Sequence, residues 1–295
     1  MTASAAPLYP IVMALITAFL FGISSLVVQF GLRHADARTG ALYSIGTTAA
    51  MYWLMLPFFL PGMTWSLSSL KEFVAWFAMI GVFTPGISLM LAFEGNRLLG
   101  PTISSTLAST APVFAITSAI LILGERPPPM VLLGAAGVVM GVVLLSWRGR
   151  ASRDWRLWAI LFPLGAAFLR GGIHTATRYG LMGMSAPFLA ALVSFNAAFL
   201  TAALRERVLR PQSFRFPGWP GFRMFALTGV LNGVALILMN ISLMTGQVSV
   251  VSPLVSTFPL FTFFFSMVLR VERLNWRMIV GMMVVVMGVA AISAR

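Results

Sequence analysis

The chain has no cysteine and few charged residues of either sign. Charged side chains make up 9% of its 295 residues and hydrophobic ones 59%, whereas soluble domains carry about 25% charged residues. The lack of cysteine excludes disulfides and thiolate metal sites. The lack of charge, with a mean hydropathy of +0.93, excludes a water-soluble domain and indicates an integral membrane protein that contacts the lipid bilayer.

Acidic residues are especially scarce. Seven Asp and Glu against 20 Lys and Arg give a formal net charge of +13, which in a soluble protein would suggest a nucleic-acid partner. Here the arginines cluster in short segments between apolar runs, as in the cytoplasmic loops of membrane proteins, so no nucleic-acid partner is expected. The sequence has no phosphate-binding motif and only two histidines, and it predicts no metal site and no cofactor.

Apolar runs long enough to cross a hydrocarbon layer of about 30 Å recur along the whole chain. They predict an all-α protein with ten transmembrane helices, at 8–30, 40–60, 73–95, 101–123, 130–147, 157–180, 186–205, 223–245, 249–269 and 276–293. The first run is too long for the apolar core of a signal peptide. The connections are short, and none of them has room for a soluble domain.

The second half of the chain repeats the first. Residues 102–146 and 249–293 align without a gap at an offset of 147. The matched motifs are Ser109-Thr110-x-Pro112 with Ser256-Thr257-x-Pro259 and Glu125-Arg126 with Glu272-Arg273. Outside this alignment, span one resembles span six, with Ala18-Phe19-Leu20-x-Gly22 matching Ala167-Phe168-Leu169-x-Gly171. We therefore expect two five-helix repeats, residues 1–148 and 149–295.

Five spans per repeat is an odd number, so the second repeat enters the membrane in the opposite sense to the first. Inverted repeats of this kind are typical of secondary transporters, which bind substrate near the midplane at the repeat interface. The sequence thus predicts two inverted five-helix repeats around a central cavity and transport of a small molecule by alternating access. A passive channel fits mid-helix Ser/Thr-Pro breaks less well.

The loops differ in charge. Those after odd-numbered spans contain fifteen basic residues, and the opposite loops with the C-terminus contain four. Because basic loops face the cytoplasm, this asymmetry predicts a multi-pass protein of the plasma (cell inner) membrane with both termini outside.

Spans four, five, nine and ten resemble the EamA repeat of the drug/metabolite transporter superfamily. The resemblance rests on Leu99-Gly100-Pro101, Ser109 to Phe114, Leu123-Gly124-Glu125-Arg126 and Gly134 to Gly141, with second copies at Pro259-Leu260-Phe261, Glu272-Arg273 and Gly281 to Gly288. It implies ten helices around a central cavity and export of aromatic or other neutral amino acids, with drugs, cations or other metabolites as alternatives. It also implies cytoplasmic termini, contrary to the charge count.

Arg170 lies near the middle of the sixth span. An arginine there costs about 2.5–3.5 kcal/mol or more and usually faces a bundle interior or a watery cavity. We predict that it binds a substrate carboxylate; a structural arginine that bonds neighbouring carbonyls, or one that snorkels, is the alternative. His174 follows one turn later on the same face, either as a proton-coupling group or as a hydrogen-bonded packing residue.

Other polar residues of the predicted cavity also have two interpretations. Glu94, the only acid expected inside a span, can carry a coupling proton, bind a substrate ammonium, or pair with Arg97 or Arg170. Asn96 and Asn240 end the repeat-related third and eighth spans and are candidate substrate contacts.

The two Ser-Thr-x-Pro motifs are predicted to shape the cavity. Proline removes a backbone hydrogen bond, and neighbouring hydroxyls can satisfy the carbonyl that it frees. Pro112 and Pro259 are therefore predicted hinges or points of static curvature, and the hydroxyls beside them are candidate substrate contacts: Ser109, Thr110, Ser256 and Thr257.

The predicted protein is not an enzyme. An intramembrane lipid-modifying enzyme, the alternative from another class, would need paired acids, a histidine cluster or a nucleophile with its base.

Glycines at 134, 137 and 141 permit close helix packing, within one chain rather than across a dimer, so a monomer is expected and a dimer is the alternative.

Overall fold

The chain is mostly helical in the part that the computed structural model describes, residues 8–59, 67–88, 91, 107, 110–146, 157–209, 216–268 and 276–293. These residues form eleven α-helices and no strand. The helices are α1 (Leu8–Gly31), α2 (Ala37–Phe59), α3 (Leu67–Gly81), α4 (Ala111–Leu123), α5 (Pro129–Ser146), α6 (Leu161–Gly183), α7 (Pro187–Leu209), α8 (Gly218–Thr245), α9 (Val248–Val255), α10 (Phe258–Val268) and α11 (Trp276–Ser293). A π-helix, Val82–Ser88, continues α3, and a 3-10 turn, Leu157–Ile160, leads into α6.

The helices confirm the predicted all-helical fold, and their bounds differ most from the prediction at the third, eighth and ninth spans; the third begins at Leu67 rather than at 73. Four of them, α1, α6, α7 and α8, are long and apolar enough by themselves to cross a membrane, and parts of α4, α5, α9 with α10, and α11 form shorter apolar helices. The eighth span begins at Gly218 rather than at 223, because Pro220 in its first turn needs no backbone donor and fits a helix start. The ninth span is two helices, α9 and α10.

The two repeats pack as inverted copies of each other. Helix α1 lies along α8 and α10, and its counterpart α6 lies along α3 and α4. Helix α2 packs on α8 as α7 packs on α3, and the equivalent helices α5 and α11 pack on one another. These contacts of one repeat thus have counterparts in the other among the described residues, as the internal repeat in the sequence had implied.

Two glycines show this equivalence at atomic level. A Cβ at Gly171 of α6 would lie 2.6 Å from the Ala111 carbonyl oxygen and 2.8 Å from Phe114 Cβ. A Cβ at Gly22 of α1 would lie 3.1 Å from the Phe258 carbonyl oxygen and 2.5 Å from Phe261 Cβ. Both first helices therefore need a glycine where the fourth span of the other repeat crosses them.

The glycines of the fifth and tenth spans join α5 to α11. A Cβ at Gly134 would approach the Gly288 carbonyl oxygen to 2.7 Å, and a Cβ at Gly141 would approach the Gly281 carbonyl oxygen to the same distance. These small residues are used in packing within the chain, as the sequence predicted. The oligomeric state stays a prediction.

Helix α9 lies at the centre of the molecule. All eight of its residues are buried, and the main apolar cluster surrounds it with side chains from α1, α4, α5, α8 and α11. Large apolar side chains on the outer faces are exposed, such as Leu121 at 77% and Leu133 at 69%, as expected of a surface that faces lipid. The core therefore holds α9 against the face of α6 that contains Arg170.

Candidate functional site

Helix α6 presents three basic side chains in a line. Arg170, His174 and Arg178 are one helical turn apart and all half-buried, as the spacing predicted. Their surroundings differ. His174 and Arg178 have partners on neighbouring helices, whereas the Arg170 guanidinium forms no hydrogen bond or ion pair with the residues that the structure describes.

His174 is tied to the buried helix. Its Nδ1 lies 2.9 Å from the Ser252 hydroxyl oxygen of α9, so one of the two donates according to the tautomer. Ser252 is fully buried. This contact joins the middle of α6 to the middle of α9 and leaves the other ring nitrogen, Nε2, for a further partner.

Glu125 joins the end of α4 to the start of α9 and to Arg178 of α6, which in turn contacts α8. It follows Gly124, whose φ of 65° ends α4 in the left-handed region. The residue as a whole is only 8% exposed. The carboxylate accepts hydrogen bonds from the backbone N–H of Val248, at 2.8 Å, and of Ser249, at 3.0 Å. Both donors lie in the first turn of α9, where unpaired N–H groups favour an anion.

Arg178 completes this cluster. Its Nε lies 3.5 Å from Glu125 Oε1, and its Nη1 donates to the Leu243 carbonyl oxygen of α8 at 2.9 Å. The buried carboxylate is therefore paired and hydrogen-bonded, which its burial requires. We call Glu125, Arg178 and the first turn of α9 the clamp.

Threonines break the fourth and ninth spans in the same way. Thr257 Oγ1 donates to the Leu254 carbonyl oxygen at 2.7 Å, and Thr110 Oγ1 donates to the Leu107 carbonyl oxygen at the same distance. A new helix starts just after each, α10 after Thr257 and α4 after Thr110, with a proline as its second residue. The structure thus contains the interruptions that the Ser-Thr-x-Pro motifs indicated, while a hinge movement there stays a prediction.

The remaining predicted site residues are distributed as follows. Asn240 is 3% exposed, and its Nδ2 donates to the Pro187 carbonyl oxygen at 3.1 Å, which joins α8 to the start of α7. Ser256 lies at the end of α9, half-buried. Glu94, Asn96 and Ser109 lie outside the described residues, so the predicted Arg170–Glu94 pair stays a prediction.

Sequence reasoning missed the clamp. Neither Glu125 nor Arg178 was among the predicted site residues, because hydropathy places both at span ends. Two signals were present: the Glu-Arg pair recurs in register in both repeats, and Arg178 lies on the same helical face as Arg170. Neither signal reveals that the N-terminus of α9, far along the chain, is the carboxylate's partner.

The described ionisable residues on this face of α6 are basic. The described α6 residues contribute two arginines and one histidine to it, and Arg178 is already balanced by Glu125. Among the described residues no acid balances Arg170, whose guanidinium is planar and able to bind a carboxylate through two hydrogen bonds. No group of His, Asp or Glu suitable for a metal ion occurs among the described residues.

Comparisons with known proteins agree with this architecture. The profile of the family described as "EamA-like transporter family" matches residues 8–147 and again residues 157–294. One match falls in each predicted repeat, although the boundary between residues 148 and 149 stays a prediction. No curated protein matches the chain.

A solved structure shares the fold. Its title is "Crystal structure of protein", and it is similar to this chain with a TM-score of 0.77, 16% sequence identity, and coverage of 96% of this chain and 95% of the other. At that identity the similarity establishes the arrangement of helices and leaves the substrate open.

Proposed function

Because the chain belongs to the EamA-like transporter family, we propose that it is a secondary transporter that exports small carboxylate-bearing metabolites by alternating access. Aromatic and other neutral amino acids are the first candidates, as the resemblance to the drug/metabolite transporter superfamily implies. The transport pathway runs along the face of α6 that contains Arg170 and His174, and the chain acts as a monomer.

One observation carries the carboxylate proposal. The Arg170 guanidinium lies near the middle of a membrane-spanning helix, half-buried and without a partner among the described residues. A charge kept at that depth despite its cost is expected to serve a function. A substrate carboxylate that enters from the cavity supplies the missing partner, and its release restores the empty state, as a transport cycle requires.

The same face argues against cationic substrates. Among the described residues of α6, the ionisable groups that line it are basic, and Glu125 is engaged by Arg178 and two backbone N–H groups. Among the residues that the structure describes, a cationic drug would meet like charge at Arg170 and no free acid to compensate it. An amino acid zwitterion meets a donor for its carboxylate, and its ammonium group is small enough to remain hydrated.

Counterflow in proteoliposomes tests the proposal. Purified protein is reconstituted with unlabelled amino acid inside, and uptake of the labelled compound is followed with competitors from amino acids, sugars and cationic drugs. We expect saturable uptake of a neutral amino acid that other carboxylates inhibit and sugars do not. Competition by cationic drugs alone would favour the drug exporter, and chemical conversion without net movement would favour an enzyme.

A further inference from the structure

The clamp lies at one end of the bundle, which we call the α4–α5 end. Here α4, α6 and α8 end and α1 and α9 begin. The Ser242 hydroxyl of α8 donates to the Pro10 carbonyl oxygen of α1 at 2.6 Å, so the start of α1 is also bonded to α8 at this end. Helices of both repeats therefore meet at this end. Glu125 contacts α6 and α9, two of the helices that would separate if this end opened.

The clamp and the proposed substrate site share one helix pair. Glu125 fixes the first turn of α9, and Ser252, one turn further along α9, contacts His174. Arg178 is one turn beyond His174 on α6. The rows of contacts along α6 and α9 thus run from the Glu125 carboxylate to the middle of the membrane.

We infer that Glu125 is a positioning residue of the transport pathway: its carboxylate clamps α9 to α6, holds Ser252 against His174, closes the α4–α5 end, and releases when that end opens. This inference rests on the proposed transport function, because only a transporter needs the end to open. In a protein of fixed structure the same contacts would serve stability alone.

The contacts suit release. The carboxylate is held by three donors on two helices, none of them on its own helix, so a movement of α9 or of α6 breaks contacts to Glu125 together. Once exposed, the carboxylate, guanidinium and N–H groups are solvated by water, which offsets much of the lost interaction. The conformation in which this end is open is therefore accessible, because its free energy does not differ greatly from that of the closed conformation.

Ser249 reports on the clamp directly. It is fully buried, its N–H donates to Glu125, and its hydroxyl oxygen has no hydrogen-bond partner among the described residues, so Ser249→Cys exchanges a single side-chain atom and keeps the backbone bond to Glu125. The natural chain has no cysteine, which makes this the single thiol. Its rate of reaction with a membrane-impermeant methanethiosulfonate measures how often the α4–α5 end opens.

The clamp variants are Glu125→Gln and Arg178→Met in the Ser249→Cys background. An amide at 125 accepts from one N–H and directs its own NH2 group at the other, and Met removes the cation but leaves both cap hydrogen bonds. We expect either variant to accelerate labelling roughly tenfold or more, since a charge-assisted contact is lost. The exposed neighbour Arg126 provides the control: Arg126→Gln should leave the rate unchanged.

A second thiol separates the clamp from general loosening. Ser44 in α2 is 8% exposed and lies far from the clamp in the fold, so Ser44→Cys is the matched reporter. Acceleration at Ser249→Cys alone supports the clamp, and equal acceleration at both positions overturns it, as does an unchanged rate at Ser249→Cys. Should Glu125→Gln fail to fold, Arg178→Met decides by the same criteria.

The labelling rate needs no knowledge of the substrate. If no amino acid gives counterflow but the clamp variants expose Ser249→Cys, the proposed substrate class is wrong and the clamp stands. If counterflow is robust but labelling does not change, the clamp is wrong and the transport function stands. The two proposals therefore fail separately.

Discussion

Arg170 is the residue on which the proposed substrate class depends. A charge-assisted hydrogen bond to a substrate contributes about 1.5–3 kcal/mol, which corresponds to roughly 10–150-fold in affinity. We expect Arg170→Gln to raise the half-saturating concentration of a carboxylate substrate by that factor in the counterflow assay. Amino-acid amides, which lack the carboxylate, should bind the variant and the natural protein equally weakly.

Two comparisons make the Arg170 result decisive. Arg170→Lys keeps the charge but loses the planar pair of donors, so we expect an intermediate defect. Arg126→Gln removes an exposed arginine near the clamp and should leave substrate affinity as it is. Undiminished affinity in Arg170→Gln would show that Arg170 is structural and would remove the argument for a carboxylate.

His174 belongs to the same face but to a different step. Its Nδ1 contact with Ser252 orients the ring, and imidazole is the side chain whose protonation changes most readily near physiological pH. If it carries the coupling proton, His174→Gln should abolish uptake driven by a pH gradient and retain counterflow, which moves no net proton. Loss of both activities, or of neither, would assign His174 to packing.

At the scale of elements, the crossing of α4 over α6 depends on one of two adjacent glycines. A Cβ at Gly171 would meet the Ala111 carbonyl oxygen at 2.6 Å and the Ala115 nitrogen at 2.7 Å, whereas a Cβ at Gly172 would meet no atom within 4 Å. We expect Gly171→Ala to separate the helices and lower both the melting temperature and the transport rate. Backbone atoms line the contact, so the neighbours cannot yield as a flexible side chain would.

Gly172→Ala is the matched control for this crossing. It adds the same methyl group to the same turn of α6, and alanine is favoured over glycine inside a helix by about 1 kcal/mol. Its melting temperature should equal or exceed that of the natural protein. A Gly172→Ala defect as large as that of Gly171→Ala would mean that the helix, and not the crossing, is sensitive to the extra methyl group.

The elements also show what sequence can and cannot predict. Apolar length predicts the spans, and the internal repeat predicts which helices are equivalent, so Gly22 and Gly171 could be matched before their contacts were known. Thr110 and Thr257 were recognisable as break points from the proline that follows each. The Glu125 contact was not predictable, because a carboxylate's choice between water, an arginine and a helix N-terminus depends on a tertiary arrangement that hydropathy does not encode.

At the scale of the whole molecule, the inverted repeat means that the same kind of helix contact occurs twice, once for each repeat. Each repeat packs its first helix against the other repeat, α1 on α8 and α10 and α6 on α3 and α4, so neither repeat buries its apolar surface without its partner. Two inverted repeats can exchange their conformations with each other. Such an exchange opens the midplane site first to one end of the bundle and then to the other. The inferred role of the clamp is to keep the α4–α5 end closed.

The orientation of the molecule remains to be tested, and the two arguments about it disagree. The excess of arginine in the loops after odd-numbered spans places the α4–α5 end outside the cell, whereas the superfamily resemblance places it inside. We weigh the charge asymmetry more, since it belongs to this chain, and predict that the α4–α5 end faces outward.

Single cysteines decide this orientation because the chain has none of its own. Gly183 ends α6 at the α4–α5 end and has open space around a Cβ, and Val208, 72% exposed, ends α7 at the opposite end. In intact cells a membrane-impermeant maleimide should label Gly183→Cys at once and Val208→Cys only after permeabilisation. The reverse pattern would place both termini in the cytoplasm, and it would make release of the Glu125 clamp the cytoplasmic step of the cycle.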